Sequence, residues 1–225
     1  MPDIILHQWE ISPFCGKVRR ILDFKGLEYS VRDYTGWRVM AAGKLSQAGK
    51  LPVLEYDGQM IQDSSCIAAF LEEKHPEPAL FPKSGRAAHL AHVFEDWADE
   101  SLYWYEVYFR FMWPEGAAKA FNIMQQGRPA WETALITKSA IPMMRQKLRA
   151  QGIGKYDKET VTAQFLEHLQ HLDGLLAEEK WLAGDSCSIA DIAVASQLAE
   201  VQRTSHLASR FQDYPALSAW LARIG

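Results

Sequence analysis

The sequence predicts two domains, a small α/β sandwich on a mixed sheet followed by an all-helical domain. Three observations carry that prediction. Residues 1–76 alternate short apolar runs with amphipathic stretches in the order strand, helix, strand, helix, hairpin, helix. The run Glu77 to Gly85 (EPALFPKSG) is rich in proline and lacks a helical period, so 77–85 reads as a linker. From Arg86 onward, over 86–225, every strong signal is helical.

In the first domain, Asp3 to His7 reads as a short buried strand. Ser12 stands where a helix N-cap belongs, and Pro13 takes the first helical position, where its missing N–H costs nothing. Phe14, Val18, Ile21 and Leu22 then form one apolar face, with Lys17, Arg19 and Arg20 off it, and Gly26 stops the helix. Glu28 to Tyr34 alternates as a second strand, and residues 36–50 hold one short helix. Val53 to Tyr56, the turn Asp57-Gly58 and Gln59 to Gln62 read as a hairpin. Asp63, Ser64 and Ser65 are capping types that open a helix ending at His75-Pro76.

The second domain reads as helices over 86–113, 116–126, 130–150 (with a kink expected at Pro142), 158–178, 189–203 and 216–223. In the first of these, Phe94, Trp97, Ser101, Trp104, Tyr105, Tyr108 and Met112 fall close to one stripe of a straight helix. Ser188-Ile189-Ala190-Asp191 is a capping-box pattern with Asp191 as the acid that reaches back.

Bulk properties exclude several function classes. With 225 residues, 48% of them apolar and 23% charged, the chain has the make-up of a soluble globular protein with a sizeable core. A net charge of −4 and no long basic run argue against a nucleic-acid partner. No stretch approaches the ~18 consecutive apolar residues of a membrane span, and the N-terminus lacks a basic-then-apolar leader. Cys15, Cys66 and Cys187 are too few and too scattered for a disulfide framework. That favours a reducing, cytoplasmic setting. The pairs His89/His92 and His168/His171 come without an evident third ligand, so no metal is expected.

Chemistry is concentrated at Ser12-Pro13-Phe14-Cys15. A helix N-terminus offers free N–H groups and a partial positive charge, suited to an anionic group. A serine or cysteine there can stabilise or become a thiolate. Taken with Gly49-Lys50-Leu51-Pro52-Val53-Leu54, Asp63-Ser64 and the Trp181-to-Asp191 segment, this turn resembles the cytosolic glutathione transferase superfamily. The Ser-Pro-Phe form is similar to its tau class.

The resemblance implies a thioredoxin-like N-terminal domain that binds glutathione as co-substrate, an all-helical C-terminal domain, and a homodimer. It assigns Ser12 to the glutathione sulfur, where a donated hydrogen bond favours thiolate. Phe14 belongs to the same turn. Leu51 precedes a cis-proline corner at Pro52 and pairs with the peptide of glutathione. Ser64 and Asp63 take its γ-glutamyl carboxylate and ammonium, and Lys50, with Lys44, its glycyl carboxylate. A small apolar electrophile would lie against Trp104, Tyr105 and Tyr108. Two other readings stay open. The aromatic run Tyr103 to Trp113 also resembles metaxin-like relatives, which implies a non-catalytic scaffold, and Cys15 could support glutathione-dependent thiol-disulfide exchange.

Overall fold

The computed structural model describes residues 2–35, 38–124 and 128–225. The first domain comprises β1 (Ile4–Gln8), α1 (Pro13–Phe24), β2 (Ser30–Asp33), α2 (Arg38–Ala42), β3 (Val53–Tyr56), β4 (Gln59–Gln62) and α3 (Ser64–Lys74). The sheet order is β2-β1-β3-β4, with β1 parallel to β2 and the other pairs antiparallel. Leu6 pairs with Leu54 across β1 and β3. Both are buried in one cluster with Val18, Ile21 and Leu22 of α1 and Ile67, Ala68 and Leu71 of α3. Val18, Ile21 and Leu22 of the apolar face read from the sequence of α1 are thus its core face, while Phe14 is half-buried. Residues 36 and 37 of the expected 36–50 helix lie outside the described residues.

The second domain comprises α4 (Gly85–Trp97), a π-helical turn (Ala98–Leu102), α5 (Tyr103–Met112), α6 (Pro114–Met124), α7 (Ala130–Gln151), α8 (Lys158–Glu178), α9 (Ile189–Thr204) and α10 (Pro215–Ile224). Residues 125 and 126 of the expected 116–126 helix are outside the described residues. Pro142 sits inside α7, which continues through it.

The long helix expected over 86–113 is interrupted. Five residues in π geometry between α4 and α5 widen one turn, so a stripe drawn for a straight helix loses its phase there. Trp97 before this turn and Tyr105 after it nevertheless both pack on His168 of α8.

The central helix is α9, apolar on nearly every side and buried along most of its length, packed against α1, α4 and α5. Its first turn is organised by Asp191, which is fully buried. The Asp191 carboxylate accepts the Ser188 N–H (3.0 Å) and hydroxyl (3.0 Å), the Leu182 N–H (2.9 Å) and the Trp220 indole N–H (2.9 Å). The capping pattern is thus also a junction joining α9, α10 and the loop before α9.

The stretch between the domains is pinned rather than loose. Leu80 is buried, its N–H donates to Glu72 (2.9 Å) and its carbonyl accepts from Ile189 (2.9 Å). Lys25 Nζ donates to Glu72 (2.7 Å) and to the carbonyls of His75 (2.6 Å) and Pro78 (3.1 Å).

Replacing Asp191 by Ala leaves buried donors unpaired. Urea unfolding of Asp191→Ala is expected to show a loss on the order of 3–5 kcal/mol. A loss below about 1 kcal/mol would contradict the junction role.

Candidate functional site

Three local structures converge on one cleft. The first is the β1–α1 turn. Ser12 is the extended N-cap of α1 (φ −79°, ψ 126°), and its Oγ accepts the Cys15 N–H at 3.4 Å. The second is the segment before β3, where the Leu51–Pro52 peptide is cis. The third is the start of α3. Asp63 adopts a left-handed backbone (φ 74°), rare for a residue with a Cβ, and its Oδ1 accepts the N–H groups of Ser65 (2.9 Å) and Cys66 (3.2 Å). The cap offsets the local strain and fixes Ser64 at the first helical position.

The cleft has a volume of about 530 Å³ and lies between the sheet domain and the start of the second domain. One side is formed by Phe14, Ala48, Lys50, Leu51, Pro52, Asp63, Ser64 and Ser65. The other is formed by His92, Glu95, Asp96, Asp99 and Glu100. The structure thus brings Phe14, Lys50, Leu51, Pro52, Asp63 and Ser64 together from segments far apart in sequence. Ser12, which is 7% exposed, and the fully buried Cys15 do not line this cleft.

The opposite wall was not visible as a site in the sequence. His92, Glu95, Asp96, Asp99 and Glu100 recur at helical spacing, which by itself reads as a solvated face. The signal that distinguishes it is Lys17, an off-face lysine on α1 that is only 1% exposed. Its Nζ donates to Glu95 Oε1 (2.7 Å), Asp99 Oδ2 (2.7 Å) and Ser65 Oγ (3.2 Å). The Ser65 hydroxyl donates to Glu95 at 2.9 Å. Burial raises the Asp99 carboxyl above the usual range, with the Lys17 ammonium opposing that shift. Asp99 Oδ1 has no hydrogen-bond partner among the described residues. The cleft therefore has an acidic wall facing Lys50 and the N-terminus of α3.

Trp104, Tyr105 and Tyr108 do not line the cleft. Tyr108 is fully buried and its hydroxyl donates to the Tyr156 carbonyl at 3.1 Å. Tyr105 packs on Phe165 and His168 of α8, and Trp104 meets the ring of Tyr103. Tyr105 keeps the side that Trp97 takes on α4, both packing on His168, whereas the face of α4 that lines the cleft is that of His92, Glu95 and Asp96. On α5, Tyr103 reaches the sheet domain, its ring lying 4.9 Å from that of Phe14.

Two family models match the chain, the glutathione S-transferase N-terminal domain over residues 6–79 and the glutathione S-transferase C-terminal domain over residues 133–225. Together they span most of its length. The chain belongs to the glutathione S-transferase superfamily. It is 27% identical to an isoprene-epoxide–glutathione S-transferase of Rhodococcus sp., over 96% of this chain and 92% of that protein. It is 25% identical to the protein LigF of Sphingobium sp., over 80% of this chain and 72% of that one. The fold matches the crystal structure of the β-etherase LigF with a TM-score of 0.71, at 21% identity over 98% of this chain and 94% of that one. It matches a glutathione S-transferase from Rhodospirillum rubrum with a TM-score of 0.70, at 24% identity over 98% and 87% of the two chains.

In this member of the superfamily the thiol at the turn is shielded. Cys15 is completely buried, and burial pushes its pKa up to about 11, although the Trp9 N–H (3.4 Å from Sγ) and Ser12 oppose the shift. Cys187 is pushed up to about 12 by burial. Cys66 is exposed. No group of three His, Cys, Asp or Glu among the described residues is arranged to hold a metal ion, and no helix among them is long and apolar enough to cross a membrane.

Brief alkylation of the native protein followed by peptide mass spectrometry is expected to label Cys66 first, with Cys15 reacting only after denaturation. Labelling of Cys15 as fast as Cys66 would contradict the buried thiol.

Proposed function

We propose that the chain is a glutathione transferase that stabilises the glutathione thiolate through Ser12 and directs it at a small apolar electrophile. The observation that carries this reading is the single cleft formed by Phe14, Lys50, Leu51, Pro52, Asp63 and Ser64, backed by the acidic wall of Glu95 and Asp99. Glutathione carries one ammonium and two carboxylates at separate points, and the cleft offers opposite charge at separate points. The γ-glutamyl carboxylate takes Ser64 at the N-terminus of α3, where the helix partial charge favours an anion. The ammonium beside it meets the acidic wall of Glu95 and Asp99 and the Oδ2 of Asp63, whose Oδ1 is committed to the cap. Leu51 pairs with the peptide, and Lys50 meets the glycyl carboxylate.

The Ser12 oxygen accepts the Cys15 N–H, which leaves its hydroxyl proton available to donate to a sulfur at the turn. A hydrogen bond to the charged form favours thiolate over thiol. The thiolate then attacks an electrophilic carbon. In an epoxide or ether a carbon–oxygen bond breaks as the carbon–sulfur bond forms, and the released oxygen takes a proton. The names of the isoprene-epoxide enzyme and of the β-etherase, each specifying a carbon–oxygen bond, support that substrate class. Phe14 at the cleft and Tyr103, whose ring lies 4.9 Å from it, offer an aromatic pair to hold the electrophile. The burial of Cys15 disfavours a thiol-disulfide exchange role. The resemblance also supports a cytoplasmic homodimer.

Steady-state conjugation of glutathione with an epoxide series and an aryl halide tests the reading. Ser12→Ala is expected to lower kcat/KM by about 10- to 100-fold, the loss of one hydrogen bond to a charged group. Full activity in Ser12→Ala would remove Ser12 from the mechanism. Glutathione binding without turnover of any electrophile would favour a scaffold instead.

A further inference from the structure

The strand-to-helix turn that carries Ser12 is held from the second domain by a chain of buried charges. Arg110 on α5 is 4% exposed, and its Nη2 donates to the Ile11 carbonyl at 3.0 Å, the peptide directly before Ser12. The same nitrogen donates to Glu200 Oε2 of α9 at 3.1 Å and pairs with Glu106 one turn earlier on α5. The other oxygen of Glu200 accepts from Arg203 Nη1 at 3.1 Å. Arg203 in turn clasps Glu10 with Nη2, at 2.6 and 2.8 Å from its two carboxylate oxygens. Arg19 of α1 completes the grip by donating to the Glu10 carbonyl at 3.3 Å.

Such a network is poorly explained by stability. Burying a guanidinium is costly, and an apolar side chain of similar volume gives equal or better stability at many sites. Glu10, Glu106 and Glu200 share this region with Arg19, Arg20, Arg110 and Arg203. Glu106 Oε2 and Arg110 Nε have no hydrogen-bond partner among the described residues. Burial raises the Glu106 carboxyl to about 7, with Arg110 opposing the shift. What the network does define is the position of Glu10 and Ile11.

We infer that Arg110 is a positioning residue of the sulfur site, fixing the Ile11 peptide directly and Glu10 through Glu200 and Arg203, so that the Ser12 hydroxyl stays aimed at the bound sulfur. The inference rests on the role of Ser12 proposed above. Arg110 touches neither the cleft nor a reacting atom, so removing it alters the sulfur end and spares the rest of the glutathione site.

The test compares the wild type with Arg110→Met and Arg110→Lys. Calorimetry gives the glutathione Kd, and ultraviolet difference spectra against pH give the thiol pKa of bound glutathione. Arg110→Met is expected to keep Kd within about twofold and to raise the bound thiol pKa by about one unit, with kcat near neutral pH falling about tenfold. Arg110→Lys, which keeps one donor, is expected to recover part of both effects. Combined with Ser12→Ala, Arg110→Met is expected to add little, because both act through the same hydroxyl. An unchanged thiol pKa and kcat in Arg110→Met overturns the inference.

If Arg110→Met does not fold, Glu10→Gln is the second variant, because Glu10 is the solvent-reaching end of the chain. It should shift the thiol pKa in the same direction, and no shift overturns the inference. If the wild type binds no glutathione, the functional reading fails separately. Hydrogen exchange then decides the clamp: the amides of Ser12 and Cys15 should exchange about tenfold faster in the variant, and unchanged exchange overturns it.

Discussion

The Lys17 ammonium, buried beneath the cleft and shared among Glu95, Asp99 and Ser65, is the contact on which the two-domain arrangement turns. An isolated ammonium in that position would cost several kcal/mol, so the two carboxylates and the hydroxyl must meet it at hydrogen-bond distance. Those partners come from α3, α4 and the π turn. Satisfying one lysine therefore orients the start of α3 against the start of the second domain and holds the cleft open between them. It also brings to the cleft more negative charge than a single lysine neutralises.

The rest of the site follows from that arrangement. The acidic wall stands opposite Lys50, while the N-cap geometry of Asp63 aims the first turn of α3 into the space between them. A molecule with an ammonium next to a carboxylate at one end and a second carboxylate at the other finds complementary groups along the cleft. The aromatic contact of Phe14 with Tyr103 and the Arg110–Glu200–Arg203 chain then tie the Ser12 turn to α5 and α9. The second domain thus both walls the cleft and sets the position of the turn beside it.

Much of the first domain was legible because its signals are local. Ser12-Pro13 is a helix start whatever surrounds it, Asp57-Gly58 closes a hairpin, and Asp63 followed by Ser64 and Ser65 opens a helix. Capping and turn chemistry depend on a few neighbouring residues, so sequence displays them directly. The second domain's contribution depends on phase instead. The aromatic stripe of α4 and α5 turns toward α8, where Trp97 and Tyr105 both pack on His168, while the polar residues His92, Glu95 and Asp96 line the cleft. Trp104, Tyr105 and Tyr108 lie off the cleft, whereas Tyr103 makes the contact with Phe14. Lys17 was illegible for a related reason. A lysine off the apolar face is ordinarily solvated, and only tertiary packing shows that this one is buried against two acids.

On the function proposed above, this cleft takes glutathione by its charges. Titration calorimetry of the full chain with glutathione, alongside glutathione acetylated on its amino group, tests it most directly. The account predicts one site per chain with a Kd between about 1 μM and 1 mM, weakened at least about tenfold when the ammonium is removed. No binding at about 10 mM glutathione, or equal binding of the acetylated form, would contradict it.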